Sequence, residues 1–194
     1  MKNINELIEE LHLDTRLSLE DIPDLDLYMD QVIQLFEKRF SATKRNENDK
    51  VLTKTMINNY SKGKLFFPIE NKKYSKDHLI LISLIYQMKG ALSINDVKQT
   101  LDKLNTKMMD NEFDLRNLYS SYLQLLDINI EMFKKDLQEH KKEVTKKVVK
   151  LEDKDEEYLE QFLLAATFTS MSNFYRRAAE NIIDELGTTD KDDQ

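Results

Sequence analysis

The chain has 194 residues, of which 34% are charged and 40% hydrophobic, and its net charge is −7. Three glycines, two prolines and no cysteine favour long helices over a strand-and-turn fold, and they exclude disulfides and thiolate sites. No N-terminal signal pattern and no apolar run of membrane-spanning length is found, so we expect a cytoplasmic protein without membrane contact.

The N-terminal residues 1–26 are interpreted as a helical lead-in, because Ile4, Leu7, Ile8 and Leu11 follow helical spacing. A second helix is predicted over roughly residues 25–40. One of its faces carries Met29, Val32, Ile33, Phe36 and Phe40. The polar residues 41–50 predict a flexible loop.

A short polar helix is predicted over residues 54–62. Thr53 is its expected N-cap, and Leu52 and Ile57 stand at the positions of a hydrophobic staple. Gly63 suits its end. The exposed face would carry Lys54, Asn58, Asn59 and Lys62, whose side chains can reach base edges and phosphates in a major groove. The alternative is an ordinary surface helix anchored by Met56, Ile57 and Tyr60.

The connection at residues 65–76 has the properties of a wing. Leu65-Phe66-Phe67 should anchor its base in the core, Pro68 fixes a bend, and the tip Asn71-Lys72-Lys73 is basic. Residues 44–76 hold nine basic and three acidic side chains, a net charge of +6, whereas the rest of the chain is −13. This window can engage phosphates locally, although a solvated basic loop remains the alternative.

Two further helices should support this segment. Ser75 can cap a helix that is apolar nearly all round, from Leu79 to Met88, and this helix is the expected core. Gly90 ends it. Ser93 and Asp96 then stand in the positions of a capping box at the start of the next helix.

The C-terminal half predicts two long helices. From Leu115 to Leu151, apolar residues follow one another by three or four, which is the period of an amphipathic helix. Asp153-Lys154-Asp155 is the expected break. The last helix, roughly 155–186, has apolar residues on several faces around small ones, so we expect bundle core there; a dimer interface and a ligand pocket are the alternatives. An acidic, disordered tail is predicted for residues 188–194.

At residues 50–104 the chain resembles the MerR-type winged helix-turn-helix, and it is similar to an uncharacterised bacterial family of MerR-like regulators. The matching positions are Tyr60, Leu65, Pro68, Lys72-Lys73-Tyr74, Asp77-His78-Leu79, Ile82, Ile85 and Ile94 to Val97. The sequence departs from that pattern in several places. The Gly-Leu of the family's turn appears as Lys64-Leu65, with Gly63 displaced by one, and Lys72 stands where the wing usually carries arginine.

The resemblance implies double-stranded DNA as partner, with the helix at 54–62 in the major groove and the wing on the flanking backbone. We therefore expect DNA contacts from Lys54, Thr55, Asn58, Asn59, Tyr60, Lys62, Lys64, Lys72, Lys73 and Tyr74. MerR-type proteins dimerise through C-terminal helices, so a homodimer is expected, and an unidentified small-molecule effector is left open.

The sequence thus predicts an all-α protein: a lead-in (1–26), a MerR-like winged helix-turn-helix domain (27–106), two long C-terminal helices (107–187) and a tail (188–194). The expected function is a DNA-binding transcriptional regulator. The alternative is a protein-interaction module that reuses the fold without binding DNA. No catalytic residue, metal site or cofactor is predicted, because His12, His78 and His140 lie far apart and no phosphate-binding glycine loop occurs.

Overall fold

The computed structural model describes residues 3–110 and 113–192, with side chains up to Gly187. The described chain is mostly helical, which confirms the all-α class. The helices are α1 (Ile4–Glu10), α2 (Met29–Phe40), α3 (Lys54–Lys62), α4 (Lys76–Met88), α5 (Ile94–Met109), α6 (Leu115–Val149) and α7 (Glu156–Asp192). A 3-10 turn at Ser41–Thr43 follows α2. The two short strands are β1 (Leu27–Tyr28) and β2 (Lys73–Tyr74).

The described chain divides into two compact units, each built from segments that are distant in sequence. The first unit takes in Met1–Asp14 and Gln124–Ala178, and the second takes in Thr15–Leu123 and Ala179–Gln194. No described helix is both long and apolar enough to cross a membrane.

The second unit is built around α4, as predicted. The side chains of Leu79, Ile80, Leu81, Ile82 and Ile85 are all at most 1% exposed, because this helix is apolar on every face. Ser75 caps its N-terminus by accepting a hydrogen bond from the His78 amide. The buried side chains around it come from α2, α3, α5 and the first turns of α6.

The boundary between lead-in and domain lies earlier than expected. Leu17 and Ile22, predicted to belong to the lead-in, are buried in the core of the second unit. The hydroxyl of Tyr119 donates a hydrogen bond to the Leu17 carbonyl at 2.6 Å, and this contact joins the start of α6 to the same core. Because these contacts span about a hundred residues, sequence spacing gave no sign of them.

Helix α7 reaches the second unit at its C-terminal end. Ile183 is buried, and its carbonyl accepts a hydrogen bond from the Gln99 side chain of α5 at 2.6 Å. The helix continues to Asp192, where the sequence predicted a disordered tail from residue 188 onward. Residues 193 and 194 of that tail lie outside the described residues.

The first unit has a small apolar core between α6 and α7. Val144, Val148 and Leu164 are buried, and Leu159, Leu163 and Phe168 pack against them. Lys141 forms an ion pair with Glu160 across the two helices. The middle of α7 was expected to be buried, but Phe162, Phe174 and Tyr175 are 56%, 64% and 73% exposed. Within one chain, too few helices surround α7 to cover all of its apolar faces.

Candidate nucleic-acid interface

Helix α3 presents most of its predicted contact residues to solvent. Thr53 caps it, as predicted, and its hydroxyl accepts a hydrogen bond from the Met56 amide at 3.2 Å. Ile57 and Tyr60 lie three positions apart and are buried, so they fix one face of the helix in the core. Five predicted contact residues are exposed on the remainder of the surface: Lys54, Thr55, Asn58, Asn59 and Lys62.

The turn after α3 places Lys64 in a conformation that usually requires glycine. The amides of Leu65 and Lys64 bond the carbonyls of Tyr60 and Ser61, at 2.9 and 3.0 Å, which is the Schellman pattern of helix ends. Lys64 therefore has a φ of 57° and is exposed. Gly63 is needed for a different reason: a Cβ there would lie 2.8 Å from Cδ1 of Leu65.

The segment predicted as a wing, residues 65–76, is called the wing below. Its tip is a two-residue turn whose central residues also have positive φ. The Lys73 amide bonds the Glu70 carbonyl at 2.8 Å. The central residues Asn71 and Lys72 have φ values of 49° and 60°. Type I′ turns need positive φ at both central positions and usually carry Asn-Gly. Here lysine replaces the glycine, and Lys72 is exposed at the tip.

Strand β2 returns from the wing and pairs with β1. The pairing is antiparallel, with Leu27 opposite Tyr74 and Tyr28 opposite Lys73. The Lys73 ammonium lies 5.3 Å from the centre of the Tyr28 ring, and its side chain is half-buried. The wing is therefore fixed to the body of the unit by backbone pairing as well as by its apolar base.

Tyr60 and Tyr74, both predicted DNA contacts, are core residues. They are 5% and 1% exposed, and burial raises the pKa of each hydroxyl. The Tyr74 ring packs edge-on against Phe66 and His78, with centroids 6.1 Å apart in both cases. The two tyrosines therefore support the surface from below and are not part of it. For Tyr60, the burial agrees with the alternative stated for this helix, in which Met56, Ile57 and Tyr60 anchor it.

Two buried polar residues that the sequence analysis did not assign to the site hold the wing in place. Nδ1 of His78 accepts a hydrogen bond from the Ser75 amide at 3.2 Å, and Nε2 lies 3.2 Å from the Phe67 carbonyl at the base of the wing. Asn105 of α5 donates from Nδ2 to the Leu65 carbonyl at 3.0 Å. Each of them ties one supporting helix to the backbone between α3 and the wing tip.

Lowering the pH from 7 to 5 should destabilise the protein through His78. Burial lowers its pKa from the usual 6.5, against the hydrogen bonds to Phe67 and Pro68 and the charges of Asp77 and Asp26. The unfolded chain therefore binds the proton more readily. The stability that neutral His78 contributes is fully present above about pH 6.5. It is lost as the pH falls through the lower pKa of the folded state, by at most about 1.4 kcal/mol of unfolding free energy per pH unit.

Urea unfolding at pH 7, 6 and 5 measures this slope. His78→Gln keeps a hydrogen-bonding side chain at the third position of the capping motif and should flatten it. His12→Gln, which changes an exposed histidine in the first unit, should retain it. An equal slope in His78→Gln and wild type would contradict this account.

The lysines of this surface differ in their charge partners. Lys54 forms an ion pair with Asp30 of α2, at 2.8 Å between Nζ and Oδ1. Lys62, Lys64 and Lys72 form no ion pair with any described residue. These three charges, at the end of α3 and on the tip of the wing, are available to an anionic partner without an exchange of ion pairs.

Residues 17–122 match the family described as Domain of unknown function (DUF1836). The chain belongs to the DUF1836 family. No curated protein and no solved structure matches the chain.

The DUF1836 segment coincides closely with the continuous part of the second unit, Thr15–Leu123. It begins at Leu17, the first fully buried residue of that core, and ends at Tyr122, whose ring stacks on Tyr119. The exposed face of α3 and the wing lie wholly inside it. The first unit, formed largely by α6 and α7, lies outside the matched segment.

Proposed function

We propose that this protein is a DNA-binding transcriptional regulator with a MerR-like winged helix-turn-helix domain. In this proposal α3 enters the major groove and the wing contacts the flanking phosphate backbone. Lys54, Thr55, Asn58, Asn59 and Lys62 are the groove side, and Lys64, Lys72 and Lys73 are the backbone side. Tyr60 and Tyr74 are left out because they are buried.

The observation that carries the proposal is the strained conformation of two exposed lysines. A positive φ costs a residue with a Cβ about 1 kcal/mol or more, and glycine would relieve it at either position. Lys64 and Lys72 nevertheless occupy such positions, Lys64 just before the base of the wing and Lys72 at its tip. Backbone strain of this kind clusters at functional sites. The two strained residues are cations in a chain whose net charge is −7, and exposed cations suit contact with phosphate.

Fluorescence anisotropy with labelled duplex DNA tests the proposal. Binding should weaken steeply with salt, with a slope of log affinity against log salt of about −0.9 for each phosphate contacted. Lys62→Gln, Lys64→Gln and Lys72→Gln together should reduce the slope by about 3. No change in anisotropy at roughly micromolar protein and low salt would reject the proposal, since non-specific binding alone reaches about that affinity.

We also propose a homodimer formed through α6 and α7. Residues 161–175 of α7 carry no charge, and Phe162, Phe174 and Tyr175 are mostly exposed in the single chain. Tyr158, which is 65% exposed, stands one turn before Phe162 on the same face of α7, so a second copy would cover both rings. Light scattering at micromolar concentration should give twice the 23.0 kDa of the chain. A monomer under these conditions would reject the dimer.

The alternative function is a protein-interaction module without DNA binding, and the first unit gives it specific support. A cleft of about 730 Å³ lies between α6 and α7, lined chiefly by Met132, Phe133, Leu137, Phe168, Met171 and Tyr175. Its size is also that of small-molecule sites, so the unidentified effector would bind there. A protein that binds no DNA but retains a partner protein after a high-salt wash would favour this alternative.

A further inference from the structure

An acidic segment lies against the basic surface. It comprises residues 24–30 (Asp24-Leu25-Asp26-Leu27-Tyr28-Met29-Asp30) and carries three carboxylates and no cation. Asp30 pairs with Lys54 of α3 at 2.8 Å, and Asp24 pairs with Lys76 at the start of α4 at 2.9 Å. Between them, Tyr28 underlies the Lys73 ammonium. Three lysines from the window of net charge +6 are thus engaged by this one segment.

The fold holds this segment in place by its backbone and its apolar side chain. Leu27 is buried and pairs with Tyr74 of β2, and Met29 begins α2. Asp30 therefore stands in the first turn of α2, opposite Lys54 in the first turn of α3. The helix positions therefore fix the Asp30 carboxylate within reach of the Lys54 ammonium.

Stability does not account for these ion pairs. The side chains of Asp30 and Lys54 are both 64% exposed. That of Asp24 is 92% exposed, whereas its partner Lys76 is 16% exposed. Exposed pairs contribute little to stability because water and salt screen them. A carboxylate next to the N-terminus of α3 has a larger effect on an approaching polyanion, because it neutralises a cation and adds repulsion of its own.

We propose that Asp30 and Asp24 stand in for DNA phosphates in the free protein, and that phosphate must displace them from Lys54 and Lys76 when DNA binds. This inference rests on the proposed function. Non-specific affinity is almost wholly electrostatic, whereas cognate DNA adds contacts from α3 to base edges. Displacing the two carboxylates costs the same free energy on every duplex, so they lower the affinity for DNA of any sequence and keep binding that depends on charge alone weak.

The test compares Asp30→Asn and Asp24→Asn with wild type, using non-cognate duplex DNA and fluorescence anisotropy over a range of salt. Each variant should bind about 1.5- to fivefold more tightly, which is the range of one exposed ion pair. The salt slope should stay close to that of wild type, because the same lysines contact phosphate once the carboxylate has been displaced. The double variant should add the two effects.

Glu143→Gln is the matched control. Glu143 forms a similarly exposed ion pair with Lys146, at 2.7 Å, in the first unit, so its substitution changes the net charge equally without touching the basic surface. Its affinity and slope should equal those of wild type. Thermal unfolding of all four variants should stay within a few degrees of wild type, which shows that the fold is retained.

Three results would reject the inference or its basis. If wild type binds DNA and the two aspartate variants bind no more tightly, the inference is wrong and the proposed function stands. If Glu143→Gln tightens binding as much, net charge is the cause and the inference is wrong. If neither wild type nor any variant binds at low salt, the proposed function itself fails.

Discussion

Replacing Lys64 and Lys72 with glycine should stabilise the protein and weaken its binding to DNA at the same time. Both lysines have positive φ, at the end of α3 and at the tip of the wing. Glycine adopts this conformation without a steric clash, so each substitution should raise the free energy of unfolding by about 1 kcal/mol. Each also removes one exposed cation from the proposed phosphate-binding surface.

The loss of affinity should be roughly tenfold at low salt for the double variant, and the salt slope should fall by about 2. Urea unfolding and anisotropy on the same preparations measure the two effects. The expected changes in stability and in DNA affinity have opposite signs. A variant that is more stable but binds DNA more weakly cannot have lost binding by unfolding.

His12→Gly is the matched control for strain alone. His12 has a φ of 46° and lies in the first unit, far along the chain from α3 and the wing. It should gain stability by a similar amount and bind DNA as wild type does. Unchanged DNA affinity in the Lys64→Gly, Lys72→Gly variant would show that the two lysines do not contact DNA. Lower stability in the same variant would show that the positive φ values carry no strain.

Removing the hydroxyl of Tyr119 should give the largest loss of stability from a single oxygen atom. The ring is 1% exposed, and its hydroxyl donates to the Leu17 carbonyl at 2.6 Å and lies 3.0 Å from the Ser83 hydroxyl. The one phenolic proton is used on Leu17, so Ser83 donates to the Tyr119 oxygen. Tyr119→Phe leaves both groups buried without a partner, which should cost about 2–3 kcal/mol.

Tyr122→Phe provides the control. The Tyr122 ring stacks on Tyr119 with centroids 6.0 Å apart, but its hydroxyl makes no hydrogen bond to a described residue. Its substitution should change the free energy of unfolding by less than about 0.5 kcal/mol. Urea unfolding with unchanged m-values tests both variants. A loss below 0.5 kcal/mol in Tyr119→Phe would show that the hydroxyl does not hold Leu17 and Ser83 in the core.

Local signals predicted much of the second unit. The caps Thr53, Ser75 and Ser93 start their helices where expected, because capping depends on residues within three positions of each other. The core was also predictable from α4, because a helix that is apolar on every face must be buried whatever packs against it. Contacts between distant segments were not predictable, because nothing near Leu17 in sequence shows that Tyr119 binds it.

The candidate site was predicted less completely than the fold. The exposure of the lysines and asparagines of α3 follows from the helical period. The tight turn at the tip of the wing was not predictable, because lysine is rarely found at positive φ. Tyr74 was assigned to the surface because the resemblance places it on the wing, whereas the structure pairs it with Leu27 and buries its ring. The apolar middle of α7 was assigned to the core because sequence alone does not show how many helices surround it.

The return of α7 to the second unit has a consequence for synthesis on the ribosome. The matched segment ends at Tyr122, yet Ile183 and Gly187 contribute to the same unit through Gln99 of α5. Residues 17–122 emerge first and contain most of the core, so they can collapse early. Contacts across about 84 residues are slow to form. During translation, the surface of α5 that receives α7 therefore stays uncovered until residues 183–187 have been made.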